Sequence, residues 1–204
     1  MHRATVTLAL VATLSACGAV ATPQTASAYD KSEFVAPADV ALVVFIQNTR
    51  EDQKETYTVF DLNGQCIAAV GGRQAKVVPM PAGKHTLYIA GNRNHRVDVN
   101  LLAGRTYFIR LYSIAKVANR VSDVTPVQRG TDSYKSVKTW LRGVTITQLQ
   151  DDRCTGKPLD ERKNKTIRRL NDANAAWKNG DELYHFKYSL LPDDGFTAKE
   201  VDWL

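Results

Sequence analysis

The four histidines of the chain come first, because imidazole is the side chain that most often carries acid–base or metal chemistry near neutral pH. His85, His95 and His185 lie outside the N-terminal segment, and none of them falls in a metal-ligand spacing such as H-E-x-x-H. His85 lies beside a predicted turn, where a structural hydrogen bond is expected. His95 lies in the polar stretch 93–96, which is expected to be a solvated turn or a surface anion site. We therefore predict no metal site and no bound cofactor.

Other reactive side chains lack the spacing that catalysis requires. The sequence has no G-x-S-x-G nucleophile elbow, no P-loop and no G-x-G-x-x-G segment opening a helix. The carboxylate pairs 151–152 and 193–194 are adjacent residues in predicted turns, so the two side chains of each pair point apart. We predict no catalytic residues. The alternative that stays open is a hydrolase or glycan-binding protein whose site combines His85, His95 and these acidic turns.

The N-terminus predicts where the protein acts. Residues 4–14 form an uncharged apolar run, as long as the apolar region of a signal peptide and shorter than the roughly 20 residues that span a bilayer. The segment Leu14-Ser15-Ala16-Cys17 that follows resembles the lipobox of bacterial lipoproteins. The resemblance implies that residues 1–16 are a signal peptide, that cleavage falls between Ala16 and Cys17, and that the Cys17 sulfur carries diacylglycerol. Because Gly18 is not acidic, it also implies an outer-membrane protein that faces the periplasm or the cell surface.

Ordinary secretion is the alternative, with cleavage after the Ala-Ser-Ala at 26–28. Either route exports the protein to an oxidising compartment. Once Cys17 is lipidated, Cys66 and Cys154 remain as an even pair, which permits a disulfide between the two halves of the chain. Two unpaired thiols are the other outcome that the sequence allows.

The exported chain is mildly basic. Removing residues 1–16 takes away only Arg3, so that 27 Lys and Arg against 21 Asp and Glu become a net charge of about +5. Expected partners are therefore the membrane through the lipid anchor and another envelope protein or an anionic glycan or lipid, and not nucleic acid. The candidate anion-binding residues are Arg93, His95, Arg96, Arg162, Lys165 and Arg169. The last three share one face of a predicted helix, and the alternative is that this face is simply solvated.

The hydropathy pattern predicts strands first and helices later. About seven strands are expected at 40–46, 57–61, 65–70, 75–80, 85–89, 97–101 and 106–114. Asn63-Gly64 is typical of a tight hairpin, and Pro81-Ala82-Gly83 is typical of a turn. Apolar residues at helical spacing predict a short helix from about Tyr134 to Leu141 and a longer one from Pro158 to Lys178. On the longer helix the predicted buried stripe is Ile167, Leu170, Asn174 and Trp177.

Three motifs occur in order within the predicted strand region. They are DLNGQ at 61–65, PAGKHTL at 81–87 and AGRTYF at 103–108. This region resembles the small domains of bacterial lipoproteins of unknown function that are related to PEGA-type, carboxypeptidase-regulatory-like β-sandwiches. The resemblance implies an extracytoplasmic sandwich without known catalytic residues.

The expected organisation is α+β and mainly β. A signal peptide at 1–16 and a flexible tether at 17–37, rich in Ala, Thr, Ser and Pro, precede an antiparallel β-sandwich of about seven strands at 38–116. A C-terminal helical extension at 117–204 is expected to pack on the sandwich. The function that these features favour is non-catalytic: a lipid-anchored protein of the cell envelope that acts by binding or assembly.

Overall fold

The fold is seen in a computed structural model, which describes residues 30–49, 55–117, 119–147, 154 and 159–204, the last range with side chains from 164 onward. The predicted signal peptide, the lipidation at Cys17 and most of the predicted tether lie outside the described residues. Where the tether was expected to continue to residue 37, the structure has a 3-10 helix at Lys31–Phe34 with Phe34 fully buried. The folded body therefore includes part of the segment predicted to be flexible.

Ten strands and four α-helices occur in the described part of the chain. The strands are β1 Ala41–Gln47, β2 Tyr57–Phe60, β3 Cys66–Val70, β4 Gln74–Met80, β5 Gly83–Ala90, β6 Asn94–Leu101, β7 Thr106–Ala115, β8 Arg120–Pro126, β9 Thr145–Thr147 and β10 Ser189–Leu190. The helices are α1 Asp132–Leu141, α2 Leu159–Lys178, α3 Glu182–Lys187 and α4 Ala198–Asp202, with a second 3-10 helix at Pro192–Asp194. None of the helices in this set is long and apolar enough to cross a bilayer.

The strands form two five-stranded sheets. The first sheet has the order β8-β7-β1-β4-β9 and the second sheet the order β10-β6-β5-β2-β3. Both are mixed, because β1 runs parallel to β7, β4 parallel to β9, and β6 parallel to β10. The mainly-β prediction is confirmed, whereas a single antiparallel sandwich of about seven strands is wrong.

The three additional strands, β8, β9 and β10, all lie in the segment predicted to be a helical extension. β9 has three residues and β10 has two, which are too few for a hydropathy period to be visible. In β8 the apolar residues Val121 and Val124 are separated by an odd number of positions and interrupted by Asp123, so the strand does not alternate. The C-terminal segment therefore contributes to both sheets.

The central strand β1 explains the layering. All seven of its residues are buried, with Val43 and Phe45 in the core between the sheets and Val44 and Ile46 in a second core on the outer face of the first sheet. Helices α1 and α4 and the helix at Lys31–Phe34 contribute residues to that second core. Helix α2 covers part of the outer face of the second sheet, where Ala173 packs with residues of β2 and β5. The order of layers is thus helices, first sheet, second sheet, α2.

A disulfide joins the two predicted cysteine partners. Cys66 at the start of β3 is bonded to Cys154, which precedes α2, with the two Cα atoms 5.5 Å apart and 88 residues of separation in sequence. The bond connects the start of the α2 segment to the edge strand of the second sheet. It links the two halves of the fold covalently in addition to the main chain.

Reduction of this disulfide is expected to lower the free energy of unfolding by roughly 4 to 5 kcal/mol, because the bond removes the loop-closure entropy of an 88-residue separation from the unfolded chain. Urea unfolding with and without reductant measures the change. The double variant Cys66→Ser/Cys154→Ser is the control and should unfold at the lower midpoint in both buffers. Equal midpoints for the oxidised and reduced wild-type chain would contradict this account.

Candidate functional site

The outer face of the second sheet carries a groove of about 690 Å³. It is bounded by the turn at 61–63, by β5 and β6, and by the segment 189–191. Two exposed leucines lie at its margins, Leu62 with 65% and Leu191 with 50% of its surface accessible. A groove lined by both apolar and polar side chains is the ordinary form of a ligand-binding site. We take this groove as the candidate functional site.

The hairpin turn fixes one wall of the groove. Gly64 has a φ of +77°, which a residue without Cβ adopts at no steric cost. The Asp61 carboxylate accepts hydrogen bonds from the main-chain N–H groups of Asn63 at 2.9 Å and Gln65 at 2.8 Å. Asp61 is therefore used to close the turn that the Asn-Gly pair predicted.

The lining of the groove includes a cross-strand pair, Thr86 on β5 and Asp98 on β6. The Thr86 hydroxyl donates to Asp98 Oδ1 at 3.0 Å. Arg96 donates to both oxygens of the same carboxylate, from Nε at 2.8 Å and from Nη2 at 2.9 Å. This hydrogen bonding raises the pKa of Arg96. Both oxygens of the Asp98 carboxylate thus accept hydrogen bonds from Arg96.

The guanidinium of Arg96 already contacts several protein groups. The prediction that Arg96 binds an anion is therefore corrected. Besides Asp98, it donates to Asn174 Oδ1 on α2 at 3.2 Å, and its guanidinium carbon lies 4.7 Å from the centre of the Trp177 ring. His185 stacks against the same ring at 4.5 Å and lies 2.8 Å, through Nε2, from Trp177 O. Arg96 thus joins α2 to the second sheet.

His95 does not lie in a solvated turn or at a surface anion site, and both interpretations of the sequence are wrong for it. It belongs to β6, pairs with Ile89 of β5 and is only 1% exposed. The residues of β6 alternate between the two faces, so His95 points inward with Val97 although its sequence neighbours are polar. Its Nε2 donates to Ser122 O of β8 at 2.9 Å. Burial lowers the pKa of His95.

A group of titratable side chains surrounds His95 where β6 approaches β8. Its Nδ1 lies 4.0 Å from Asp123 Oδ1 and makes no hydrogen bond to the described residues. The Asp123 carboxylate accepts from the Tyr188 hydroxyl at 2.8 Å and from Lys187 Nζ at 3.2 Å. Burial alone would raise the pKa of Asp123, but these partners and the Val124 N–H outweigh it, so its pKa is lowered. Tyr188 and Lys187 thus both donate to the carboxylate of Asp123, and these hydrogen bonds are made within the group.

Side chains complete the hydrogen bonding of the free edge of β8. Asn92, in the turn between β5 and β6, accepts from Ser122 N at 2.6 Å and donates to Arg120 O at 2.6 Å. The Ser122 hydroxyl in turn accepts from Asn92 N at 3.0 Å. With the bond from His95, these contacts satisfy the main chain of β8 where a further strand would otherwise pair.

The remaining predicted residues are dispersed. His85 lines the groove, and its Nε2 lies 2.9 Å from Pro81 O, the structural hydrogen bond that was expected of it. Arg93 is exposed in the turn before β6. On α2, Lys165 is exposed and Arg169 is half-buried, while the side chain of Arg162 lies outside the described residues. The Arg93–Arg96 stretch contacts α2 through Arg96, but the guanidinium of Arg96 is paired with Asp98.

The acidic turns do not form a site either. Residues 151–152 lie outside the described part. Asp194 is buried and accepts from the main-chain N–H groups of Arg129 at 2.7 Å and Leu191 at 2.7 Å. Within the described ranges, no three His, Cys, Asp or Glu side chains come together in a way that could hold a metal ion.

A second and more open cavity of about 520 Å³ lies beside α4 and contains Arg105, Arg129 and Lys199. Arg129 forms two bonds with Glu200, Nη1 to Oε1 at 2.7 Å and Nη2 to Oε2 at 3.2 Å. These bonds are the main reason that the pKa of Glu200 is lowered to about 2. Arg129 is therefore already paired with Glu200. This makes the cavity a weaker candidate binding site than the groove.

Sequence reasoning missed Asp123, Lys187 and Tyr188. They lie on β8 and at the end of α3, two elements that were not predicted as such. Comparison with known protein families gives no matching family model, and comparison with curated proteins gives no match. The site is therefore interpreted from its own geometry.

Lowering the pH from 7 to 5 is expected to destabilise the fold through His95. Its pKa in the folded state lies below the unfolded value of 6.5, so the unfolded chain binds a proton more readily, and stability is lost as the pH falls below about 6.5. His95→Gln keeps a donor for Ser122 O and should flatten this dependence of the urea midpoint. His85→Gln is the control and should retain it. An unchanged pH profile in His95→Gln would exclude His95 as the source.

Proposed function

We propose that this chain is an exported, lipid-anchored protein of the cell envelope that acts by binding a partner at the groove on the outer face of its second sheet. The observation that carries the proposal is the Cys66–Cys154 disulfide. Structural disulfides persist in oxidising compartments and are rare in the cytosol. The bond therefore supports export, as the apolar leader and the lipobox-like Leu14–Cys17 segment do.

The described body begins in one outer layer of the fold, and the groove lies in another. Cys17 precedes the described body by 13 residues, and that body begins at Asp30. The helix at Lys31–Phe34 inserts Phe34 into the outer face of the first sheet, where its ring lies 5.9 Å from that of Phe108. The groove is on the second sheet, in the opposite layer. A lipid on Cys17 would connect to the fold through Asp30, in the layer opposite the groove.

All three described histidines are tied to the main chain. Nε2 of His85, His95 and His185 lies within 2.9 Å of the carbonyl oxygens of Pro81, Ser122 and Trp177, respectively. Each imidazole is therefore held in one orientation. Asp61 and Asp98 in the groove are likewise committed to a turn and to an ion pair.

A glycan-binding or hydrolytic role is the second candidate, because His85, Asp61 and Asp98 line the same groove. It requires His85 to leave its bond to Pro81 O when a ligand arrives. This candidate predicts that the chain binds or hydrolyses a glycan and that His85→Ala loses this activity at an unchanged melting temperature. A wild-type chain with neither activity would remove the candidate.

Intact mass of the native protein extracted from membranes tests the proposed location. The expected species begins at Cys17, carries diacylglycerol on that residue and is two hydrogens lighter than the reduced chain because of the disulfide. Cys17→Ser should abolish acylation and leave the membrane fraction or accumulate with its leader uncleaved. Cys66→Ser is the matched control, since it removes a different thiol and should remain acylated. A mature chain that starts at Tyr29 without lipid would indicate ordinary secretion, and a soluble species that retains Met1 would overturn export.

A further inference from the structure

Helix α3 buries little of its own surface. None of the residues Glu182–Lys187 is buried, and the side chains of Leu183 and Phe186 are exposed. Tyr188, the residue that follows the helix, is only 3% exposed and lies in the core between the sheets. An element with few buried side chains opens at a lower cost in free energy than the core does. The position of α3 therefore depends on what holds Tyr188.

The segment that follows Tyr188 forms one wall of the groove. β10 and Leu191 line the groove, and β10 pairs with β6 beside Asp98, which lines it as well. The main-chain N–H of Asp98 donates to Tyr188 O at 3.1 Å. A movement of Tyr188 would therefore displace this wall from β6.

Tyr188 is fixed by a hydrogen bond to a buried carboxylate. Its hydroxyl donates to Asp123 Oδ1 at 2.8 Å, and the same oxygen accepts from the Val124 N–H at 2.9 Å. The other oxygen, Oδ2, accepts from Lys187 Nζ at 3.2 Å and from the Tyr112 hydroxyl at 3.3 Å. Burial alone would raise the pKa of Asp123, but its hydrogen-bond donors lower it, so the carboxylate is ionised at neutral and at mildly acidic pH.

His95 packs against Tyr188 and faces the same carboxylate oxygen. The two ring centres are 5.3 Å apart, and His95 Nδ1 lies 4.0 Å from Asp123 Oδ1. Because Nε2 is bonded to a carbonyl oxygen, that of Ser122, Nε2 carries the hydrogen and Nδ1 is the nitrogen that can take up a proton. Within the described residues Nδ1 has no hydrogen-bond partner. The site of protonation is therefore a buried nitrogen next to the oxygen that holds Tyr188.

A proton on Nδ1 would be opposed while Tyr188 stays in place. Burial is the main reason that the pKa of His95 is lowered, and the charges of Arg93, in the turn before β6, and Lys187, on α3, act in the same direction. Asp123 acts in the opposite direction. A protonated imidazole would also compete with the Tyr188 hydroxyl for Asp123 Oδ1. Once Tyr188 has moved away, water can reach the imidazole, so the charged form of His95 favours that open state.

We propose that His95, Tyr188 and Asp123 form a proton-sensitive latch on the groove. In mild acid the imidazole takes up a proton and the Tyr188 hydroxyl leaves the carboxylate. The wall formed by β10 and Leu191 then moves away from β6, and a partner held by this wall is bound more weakly. The effect on binding rests on the proposed function of the groove, whereas the movement itself does not.

Amide hydrogen exchange, measured by NMR on the purified full chain with its disulfide intact, tests the movement. The amides to follow are that of Tyr188, which donates to Tyr184 O, and that of Asp98, which donates to Tyr188 O. If His95 has its ordinary pKa of 6.5 in the open state, lowering the pH from about 7.5 to about 5.5 should increase the opening equilibrium about 10-fold, after correction for intrinsic exchange. Amides of β1 should exchange more slowly at both pH values, because they are exposed only when the whole fold opens.

Two histidine variants identify the sensor. His95→Gln keeps a donor for Ser122 O but takes up no proton, so the increase should fall from about 10-fold to less than about 2-fold. His185→Gln changes a histidine of α3 itself and is the matched control, which should retain the increase.

Two tyrosine variants test the latch without changing His95. Tyr188→Phe keeps the ring against His95 but loses the bond to Asp123, and it should increase the opening roughly 10-fold already at neutral pH. Tyr184→Phe is its control and should leave the opening unchanged, because the Tyr184 hydroxyl makes no hydrogen bond to a residue that the structure describes.

The latch is excluded if the Tyr188 and Asp98 amides do not exchange faster in acid, or if His95→Gln keeps the full increase. It is also excluded if these amides exchange no faster than those of β1, since acid would then unfold the chain as a whole. Each of these results would leave the groove as a candidate binding site. An intact mass without diacylglycerol would reject the anchor and leave the exchange result unaffected.

Discussion

The fold is constrained by one strand that is apolar on both faces. β1 has seven consecutive buried residues, and neither of its faces can meet water without a large loss of hydrophobic free energy. The second sheet covers one face. The other face is covered by Phe34, which precedes β1, and by α1 and α4, which come much later in the chain. The C-terminal segment is therefore part of the body, and not an appendage.

The second sheet needs less hydrophobic cover than the first, because its outer face is mostly polar. Lys84, Thr86 and Asp98 lie on this face and need water or hydrogen-bond partners more than a hydrophobic cover. Helix α2 covers only the end of the face where Tyr88 and Ala90 lie. The uncovered remainder is the groove. The candidate site thus results from the unequal hydrophobicity of the two outer faces.

Sequence reasoning predicted those features that leave a local signature. The apolar run of β1, the Asn63-Gly64 turn and the helical spacing of the long helix that ends at Lys178 all appear in the structure near their predicted positions. The short strands β9 and β10 could not be predicted, because they exist only through pairing with β4 and β6. His95 was misjudged for a related reason: its polar neighbours Arg93 and Asn94 suggested a turn, while its inward orientation is set by the register of β6 against β5. The lipid anchor and the groove's partner stay predictions.

The contacts of Asn92 have a consequence for behaviour in solution. An uncovered edge strand is a template on which another chain can add, and β8 ends the first sheet with seven residues. The carboxamide of Asn92 presents a donor and an acceptor to Arg120 O and Ser122 N much as the peptide group of a neighbouring strand would. Pro126 removes a further N–H at the far end of β8. The turn that connects β5 to β6 thereby also protects the β8 edge against pairing with another chain.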